Sequence, residues 1–430
     1  MTPKLLLLIT FLSLGLCSMS QALQEVAPAT VNASADRLKR LDQFIQKYID
    51  DKKFNGLTAV IVKDGKIVYH KAFGFYNVEQ KIPMQKTHIF RIASMTKPIV
   101  SVAAMMLYEE GKFSLDDPIS NYIPEFKNPV VIDKYNEKDT TYTTIPAKRE
   151  IRVRDLLSQS SGIGYAQIGS AQANAIYYKN GINGGIGTPF STLKDIIPKL
   201  AKLPLFNHPG EVNLYGLNTD VLGYFVEVVS GQPLDKFLQQ RIFGPLGMND
   251  TYFNLPASKF SRLVPLYSIQ KNNELKIQDS IVPLNGNFYT QFPKMNGTYF
   301  SGGAGLSSTA YDYAIFCTMM MNGGTLNGVR ILSPYTVRMM TTHQLGKATL
   351  GNVPDNHVGF GFGFGVYSKR SEAFLPLQEG SFDWGGMFAS HFWIDPKSKV
   401  TAVFMRNIWP SNTWEFGERV KTVVYQAMEK

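Results

Sequence analysis

The chain has 430 residues, of which 44% are hydrophobic, 12% aromatic and 18% charged, and this composition predicts a globular protein with a large core and one or two domains. The formal net charge is +10, but the basic residues are scattered, and the densest cluster (148–154) is interrupted by Glu150. A solvated basic surface explains this pattern, and the sequence gives no indication of nucleic-acid binding.

The first 22 residues have the features of a secretory signal peptide. Lys4 precedes the apolar run Leu5–Leu16, and Ser20-Gln21-Ala22 supplies small residues for cleavage after Ala22. The run is too short for a membrane span and no later stretch is long enough, so we expect no stable membrane insertion. The predicted product is a domain of residues 23–430 that is secreted or periplasmic.

Hydrophobic periodicity predicts an α+β protein. A helix is expected over Ala33–Lys52, and a hairpin with an Asp-Gly turn over Leu57–Ala72. Short helical patterns alternate with loops from about 113 to 299, which indicates a mostly helical insertion. Further predicted elements are strands at Val358–Tyr367, Gly380–Phe382, Ser390–Ile394 and Val400–Arg406, and a closing helix at Trp414–Glu429. Strands near both ends (about 23–112 and 300–430) imply one antiparallel sheet flanked by the N- and C-terminal helices.

One helix start carries groups suited to nucleophilic chemistry. Ser94 lies where an N-cap or first-turn residue belongs, Pro98 is tolerated only near a helix start, and Gly111 ends the apolar pattern. Ser94 and Lys97 share one helical face beside free backbone N–H groups, an arrangement suited to acyl transfer. The Ser-x-x-Lys pattern also occurs at 191–194 and 268–271, where a helix cap with a surface lysine explains it equally well.

Other common catalytic motifs are absent from the sequence. The six histidines show no paired ligand spacing and Cys317 is the one cysteine after residue 22, so neither a metal site nor a disulfide is expected. No Gly-x-Ser-x-Gly elbow and no phosphate-binding glycine loop is present, and no cofactor is predicted. The Gly361–Gly365 run alternates with aromatic residues and is interpreted as a crowded strand.

The segment Phe90–Gly111 resembles the active-site helix of the serine β-lactamase and penicillin-binding protein superfamily. The resemblance is to the class C β-lactamase-like branch and within it is closest to the family VIII carboxylesterases. Segments at other positions agree with that branch in order: Ile151–Gly162, Pro209–Gly223, Pro245–Thr251, Gly302–Thr309 and Trp384–Pro396. The resemblance implies a β-lactamase/transpeptidase-like fold.

The resemblance also implies a set of catalytic roles. Ser94 would be the nucleophile that forms an acyl-enzyme, and Lys97 would help to draw its proton. Tyr215 would be the general base or proton shuttle. The backbone N–H groups of Ser94 and Met387 would form the oxyanion hole.

Two departures from the family pattern bear on the substrate. Tyr215-Gly216-Leu217 replaces the usual Tyr-x-Asn, and Trp384-Gly385-Gly386 replaces Lys-Thr-Gly. The cleft residues Leu217, Trp384, Gly385 and Gly386 therefore supply neither the amide nor the cation that would hold an anionic β-lactam or a peptide C-terminus.

These departures favour a carboxylesterase acting on small-molecule esters with short or medium acyl groups. The alternative is a β-lactamase or D-amino-acid peptidase whose carboxylate contact comes from Arg330 or His391. A catalytically idle binder of cell-wall peptides or of a partner protein is a third reading. The loops 140–150 and 178–190 are placed near the cleft by position alone, and the sequence does not indicate an oligomeric state.

Overall fold

The computed structural model describes residues 23–182, 185–284, 286–345, 349–350, 358–411 and 413–429. The predicted signal peptide lies outside these residues. Within the described part of the chain, no helix is both long enough and apolar enough to cross a membrane.

Helices and strands are both spread along the described part of the chain. The helices are α1 Ala35–Asp50, α2 Thr96–Glu109, α3 Val153–Leu157, α4 Ala171–Lys179, α5 Leu193–Leu200, α6 Asn218–Ser230, α7 Leu234–Leu238, α8 Gly244–Leu246, α9 Ala310–Met321, α10 Pro334–Met340 and α11 Trp414–Tyr425. The strands are β1 Gly56–Lys63, β2 Lys66–Asn77, β3 Ile82–Pro83, β4 Phe90–Arg91, β5 Val130–Tyr135, β6 Tyr142–Pro146, β7 Val212–Asn213, β8 Tyr267–Ile269, β9 Leu275–Ile277, β10 Ile281–Pro283, β11 Asn287–Tyr289, β12 Ser307–Ser308, β13 Thr325–Leu326, β14 Val329–Arg330, β15 Thr349–Leu350, β16 Val358–Phe360, β17 Gly365–Tyr367, β18 Phe382–Gly385, β19 His391–Asp395 and β20 Val400–Met405.

The main sheet joins the two ends of the chain. Its eight strands run in the order β16-β17-β18-β19-β20-β1-β2-β3, and β1 pairs antiparallel with both β2 and β20. The predicted antiparallel sheet built from N- and C-terminal segments is therefore confirmed. The same is true of helix α1 and of the hairpin that follows it.

The sheet is buried on both faces, as the alternation of side chains along β1 shows. Val60 and Val62 pack into a core shared with helices α2, α6 and α9, whereas Ala59 and Ile61 pack into a second core with α1 and α11. The catalytic helix α2 lies in the first core.

Two sequence expectations change in detail. Gly361–Phe364 is a tight turn between β16 and β17, not a strand, since the Gly361 N–H donates to the Phe364 carbonyl at 2.8 Å. Gly363 adopts a φ of +88° there, which glycine tolerates. The region between 113 and 299 contains the predicted short helices, and it also contains the two-stranded pairs β5–β6, β8–β9 and β10–β11.

Candidate active site

Ser94 lies in a short 3-10 turn, Ala93–Met95, between β4 and α2. Helix α2 begins at Thr96 with Met95 as its N-cap, and no side chain caps it. The expectation that Ser94 occupies the N-cap or first turn is therefore off by one to two residues, and its hydroxyl is not used as a cap. Ala93 has a φ of +44°, a strained conformation for a residue with a side chain, and this strained peptide immediately precedes the nucleophile.

Three predicted catalytic side chains meet at the start of α2. The hydroxyl oxygen of Tyr215 lies 2.7 Å from Ser94 Oγ, and Lys97 Nζ lies 3.4 Å from the same atom. Lys97 Nζ also lies 4.5 Å from the centre of the Tyr215 ring. The Tyr215 hydroxyl donates to Ser94 Oγ, and the same oxygen can take the proton of Ser94 once Tyr215 is deprotonated beside Lys97.

Lys97 is held by contacts from two distant segments. Its side chain is only 1% exposed, and Nζ donates to the Tyr165 hydroxyl and to the Gly303 carbonyl, both at 2.8 Å. Glycine at residue 303 leaves room for both side chains, because a Cβ there would lie 2.5 Å from Asp220 Oδ2 and 3.4 Å from Lys97 Nζ. The sequence reasoning missed Tyr165, which no motif marks.

A second buried group behind Lys97 was also missed. Asp220, in the first turn of α6, is fully buried. Within the described residues its carboxyl oxygens make no hydrogen bond of ordinary length and angle, although Ser301, Tyr299 and the Gly303 N–H are close enough to stabilise its charge. Burial raises the pKa of Asp220, opposed by Ser301 and the nearby charge of Lys97. Burial also raises the pKa of Tyr165 well above its usual value, and the neighbouring Tyr215 and Asp220 raise it further. Asp220 falls inside the segment that resembles the family, but nothing in its spacing indicated a role.

The loop that carries Tyr215 is held in place by hydrogen bonds to Gln159. Gln159 accepts a hydrogen bond from the Gly216 N–H at 3.3 Å, and its own carbonyl accepts one from the Leu214 N–H at 2.8 Å. Asn218, one residue beyond the expected amide position, is fully buried and donates to Gln159 Oε1 at 3.1 Å. The first amide after Tyr215 in sequence therefore supports the loop and does not face substrate.

Leu217 does not line the cleft as expected. Its side chain is fully buried, and Gly185 covers it: a Cβ on residue 185 would lie 3.4 Å from Leu217 Cδ2. The residue packs into the core because its backbone already begins α6, its N–H donating to the Gly164 carbonyl at 3.0 Å.

The end of β18 closes the other side of the site. Residue 386 must be glycine, since a Cβ there would lie 2.3 Å from the Ile92 carbonyl oxygen. This close approach brings Met387 toward the turn that holds Ser94.

Among the described residues, the backbone N–H of neither Ser94 nor Met387 donates to another backbone carbonyl, as an oxyanion hole requires. Trp384 packs on Tyr215, with ring centres 5.8 Å apart, and on Phe360 at 5.2 Å.

The two residues considered as carboxylate contacts lie elsewhere. Arg330 is exposed, and its charge is close enough to Glu109 to help lower the pKa of that carboxyl. Glu109 is the last residue of α2 and lies about 20 Å along the helix from Ser94. His391 stacks on Phe404 in the second core, where burial lowers its pKa well below the usual value. No group of His, Cys, Asp and Glu suited to a metal ion occurs in the described part of the chain.

Comparison with known proteins identifies the family of this chain. A family model described as Beta-lactamase matches residues 41–421. Esterase EstB of Burkholderia gladioli is 28% identical over 387 residues, covering 87% of this chain and 91% of the relative. A predicted D-alanyl-D-alanine carboxypeptidase of Escherichia coli (strain K12) is 28% identical over 421 residues, covering 91% and 88%.

A solved structure agrees with these relatives. EstCE1, described as a hydrolase with promiscuous acyltransferase activity, superimposes with a TM-score of 0.77 at 26% identity, over 90% of this chain and 98% of its own. The shared fold is the predicted β-lactamase/transpeptidase-like one. The chain belongs to the beta-lactamase family and is a serine hydrolase.

Proposed function

We propose that the protein is a carboxylesterase that works through an acyl-enzyme on Ser94. The observation that carries this proposal is the meeting of Tyr215 and Lys97 at Ser94 Oγ, at 2.7 and 3.4 Å, beside two backbone N–H groups without backbone partners. Tyr215, reacting as the phenolate, takes the proton of Ser94 as Oγ attacks the acyl carbonyl, and the N–H groups of Ser94 and Met387 receive the oxyanion. The same phenol then protonates the leaving alcohol and activates the water that releases the acid.

Ester substrates are favoured over β-lactams by what stands beside the nucleophile. Trp384, which packs on Tyr215, occupies the position where the family's β-lactamases carry a lysine. Arg330 and His391 lie too far away or too deep in the core to replace that cation. Esterase EstB is among the relatives, which supports the same choice. Peptide hydrolysis is the second candidate function, because a predicted D-alanyl-D-alanine carboxypeptidase is also among the relatives.

We further propose that the protein acts after export, because the first 22 residues have the features of a signal peptide. N-terminal sequencing of the protein recovered outside the cytoplasm should begin near Leu23. Recovery with Met1 intact would contradict export by this route.

The test compares purified protein on p-nitrophenyl acyl esters, a chromogenic cephalosporin and a D-alanyl-D-alanine peptide. Ester cleavage should dominate, and strong cephalosporin or peptide turnover with negligible ester cleavage would overturn the assignment. A fluorophosphonate should label the wild type and the matched control Ser268→Ala, which removes the serine of another Ser-x-x-Lys pattern. Ser94→Ala should abolish labelling; if labelling persists, the nucleophile is a different residue.

A further inference from the structure

A cavity of about 360 Å³ lies among the loops next to the catalytic residues. Its volume is within the range of about 300–1,000 Å³ that is usual for small-molecule sites. Nothing in the roles described above uses it.

Two of the segments that line the cavity continue into the catalytic site. Gln167, which lines the cavity, follows Tyr165 by two residues, and Tyr165 contacts Lys97. Asn287 and Tyr289 also line it and flank Phe288, which packs in one cluster with Ala93 and Phe388, the neighbours of Ser94 and Met387. From these two links we infer that a group bound in the cavity belongs to the same substrate as the reacting carbonyl.

Three aromatic rings line the cavity. Phe190 is 70% exposed and Tyr178 is 58% exposed, unusual values for such large rings. Phe190 stands edge-to-face against Tyr289, with the ring centres 5.0 Å apart. Rings held in this way present apolar faces to a ligand, and the tyrosines add hydroxyl groups.

The remaining lining is polar and has hydrogen-bonding capacity to spare. Gln167 is only 7% exposed and contributes an amide to the lining. Thr188 Oγ1 is buried and has no hydrogen-bond partner among the described residues. Buried polar groups without partners are uncommon, and a ligand with neutral donors and acceptors would satisfy the Thr188 hydroxyl and could bond to the Gln167 amide. None of the described lining residues is a lysine, arginine, histidine, aspartate or glutamate.

We propose that this cavity binds the alcohol portion of the ester, and that this portion is a neutral polyhydroxylated ring of the carbohydrate type. The inference rests on the proposed esterase function and adds the substrate class. The C–H faces of a sugar ring suit Phe190 and Tyr289, and its hydroxyls suit Gln167 and Thr188. An alkyl chain would leave the amide and hydroxyl unpaired, and a carboxylate would meet no cation.

The chemistry balances without a co-reactant other than water. Ser94 Oγ bonds to the acyl carbon as the ester C–O bond breaks, and the departing sugar oxygen takes the proton held by Tyr215. Water then attacks the acyl carbon, the bond to Oγ breaks, and the carboxylic acid leaves with the serine reprotonated.

The test keeps the acyl group fixed and changes only the alcohol. Acetate release is followed from ethyl acetate and from a methyl glucoside carrying one acetyl ester, and kcat/KM for the sugar ester should be about tenfold or more higher. Phe190→Ala and Gln167→Leu should each lower the sugar-to-ethyl ratio about tenfold. Tyr335→Ala, which removes an aromatic ring 72% exposed on α10, is the control and should leave the ratio unchanged. A wild-type ratio near one, or a ratio unmoved by both cavity variants, would overturn the inference.

A binding measurement separates this inference from the esterase proposal. In a Ser94→Ala background, saturation-transfer NMR should detect the acetylated methyl glucoside, and adding Phe190→Ala should remove the signal. If the wild type cleaves neither ester but this signal is present, the carbohydrate site stands and the esterase proposal fails. If esters are cleaved and no signal is seen, the esterase proposal stands and the carbohydrate site is rejected.

Discussion

Two buried lysines, one on each side of the main sheet, meet a tyrosine hydroxyl at the same distance but have different surroundings. Lys97 Nζ lies 2.8 Å from the Tyr165 hydroxyl, and Lys421 Nζ lies 2.8 Å from the Tyr367 hydroxyl. Lys421 also pairs with two carboxylates, Asp383 at 3.3 Å and Glu418 at 3.2 Å. Among the described residues, Lys97 donates hydrogen bonds only to neutral oxygen atoms, those of Ser94, Tyr165 and Gly303.

The difference predicts that Lys421 has a structural role and that Lys97 is the reactive lysine. Lys421 ties helix α11 to Asp383, the residue before Trp384 on β18, and a carboxylate ion pair of this kind holds a cation in place. Within the described residues no carboxylate pairs directly with Lys97, and the nearby Asp220 influences it only through its charge. Lys97 is therefore free to respond to a charge that develops at Ser94 and Tyr215.

Replacing Lys97 should have the largest effect on turnover. Lys97→Met keeps a buried chain of similar length and removes the cation 4.5 Å from the Tyr215 ring, so kcat/KM should fall about 1,000-fold. Ester hydrolysis and the fluorophosphonate labelling rate measure this effect. Retention of more than about a tenth of the activity would show that Lys97 has no catalytic role.

Replacing Lys421 should instead reduce stability. Lys421→Met leaves Asp383 unpaired, and the free energy of unfolding should fall by about 3 kcal/mol, as expected when one partner of a buried pair is removed. Urea unfolding followed by tryptophan fluorescence measures it. Lys397→Met, at an ion pair whose side chains are 50% and 52% exposed, is the control and should cost less than about 1 kcal/mol. Equal losses in the two variants would contradict the comparison.

The two tyrosines allow a matched exchange. Tyr165→Phe removes the hydroxyl that Lys97 contacts while keeping the ring, so kcat should fall about 10- to 100-fold. Tyr367→Phe removes the equivalent hydroxyl beside Lys421, and it should leave kcat within about twofold while lowering stability. Steady-state kinetics on one p-nitrophenyl ester measure both variants. Equal activity losses would mean that Tyr165 only packs.

Two signals in the sequence predicted the site residues: short spacing along a helix and resemblance to a known family. Ser94 and Lys97 lie one helical turn apart, and Tyr215 and Trp384 were located through segments that resemble a known family. Tyr165 reaches Lys97 across 68 positions of chain, through loops with no periodic pattern, so no local rule could find it.

The two incorrect expectations, for Leu217 and for the Gly361–Phe364 turn, have the same origin as the omission of Tyr165. The burial of Leu217 depends on how residue 185 folds over it, and the Gly361–Phe364 turn depends on the pairing of β16 with β17. Hydrophobicity indicates which side chains tend to be covered but not which loop covers each of them. The sheet could be predicted because the alternation of apolar and polar side chains within a strand is a local signal, and because the predicted strands fall near both ends of the chain.

Asp220 gives the smallest predicted effect and tests whether the carboxyl group behind Lys97 is uncompensated. Because burial raises its pKa in the folded state, the folded protein binds a proton more tightly than the unfolded chain, whose value is near 3.8. The stability of the wild type relative to Asp220→Asn should therefore fall as the pH rises above about 4, by at most about 1.4 kcal/mol per pH unit, and level off above the folded pKa. Urea unfolding of both proteins from pH 4 to 8 measures the difference. Asp312→Asn is the positive control, since burial raises the pKa of Asp312 to about 6 and the window should close near that pH. Parallel profiles for the wild type and Asp220→Asn would show that Lys97 already compensates this carboxylate, and the contrast with Lys421 would then be lost.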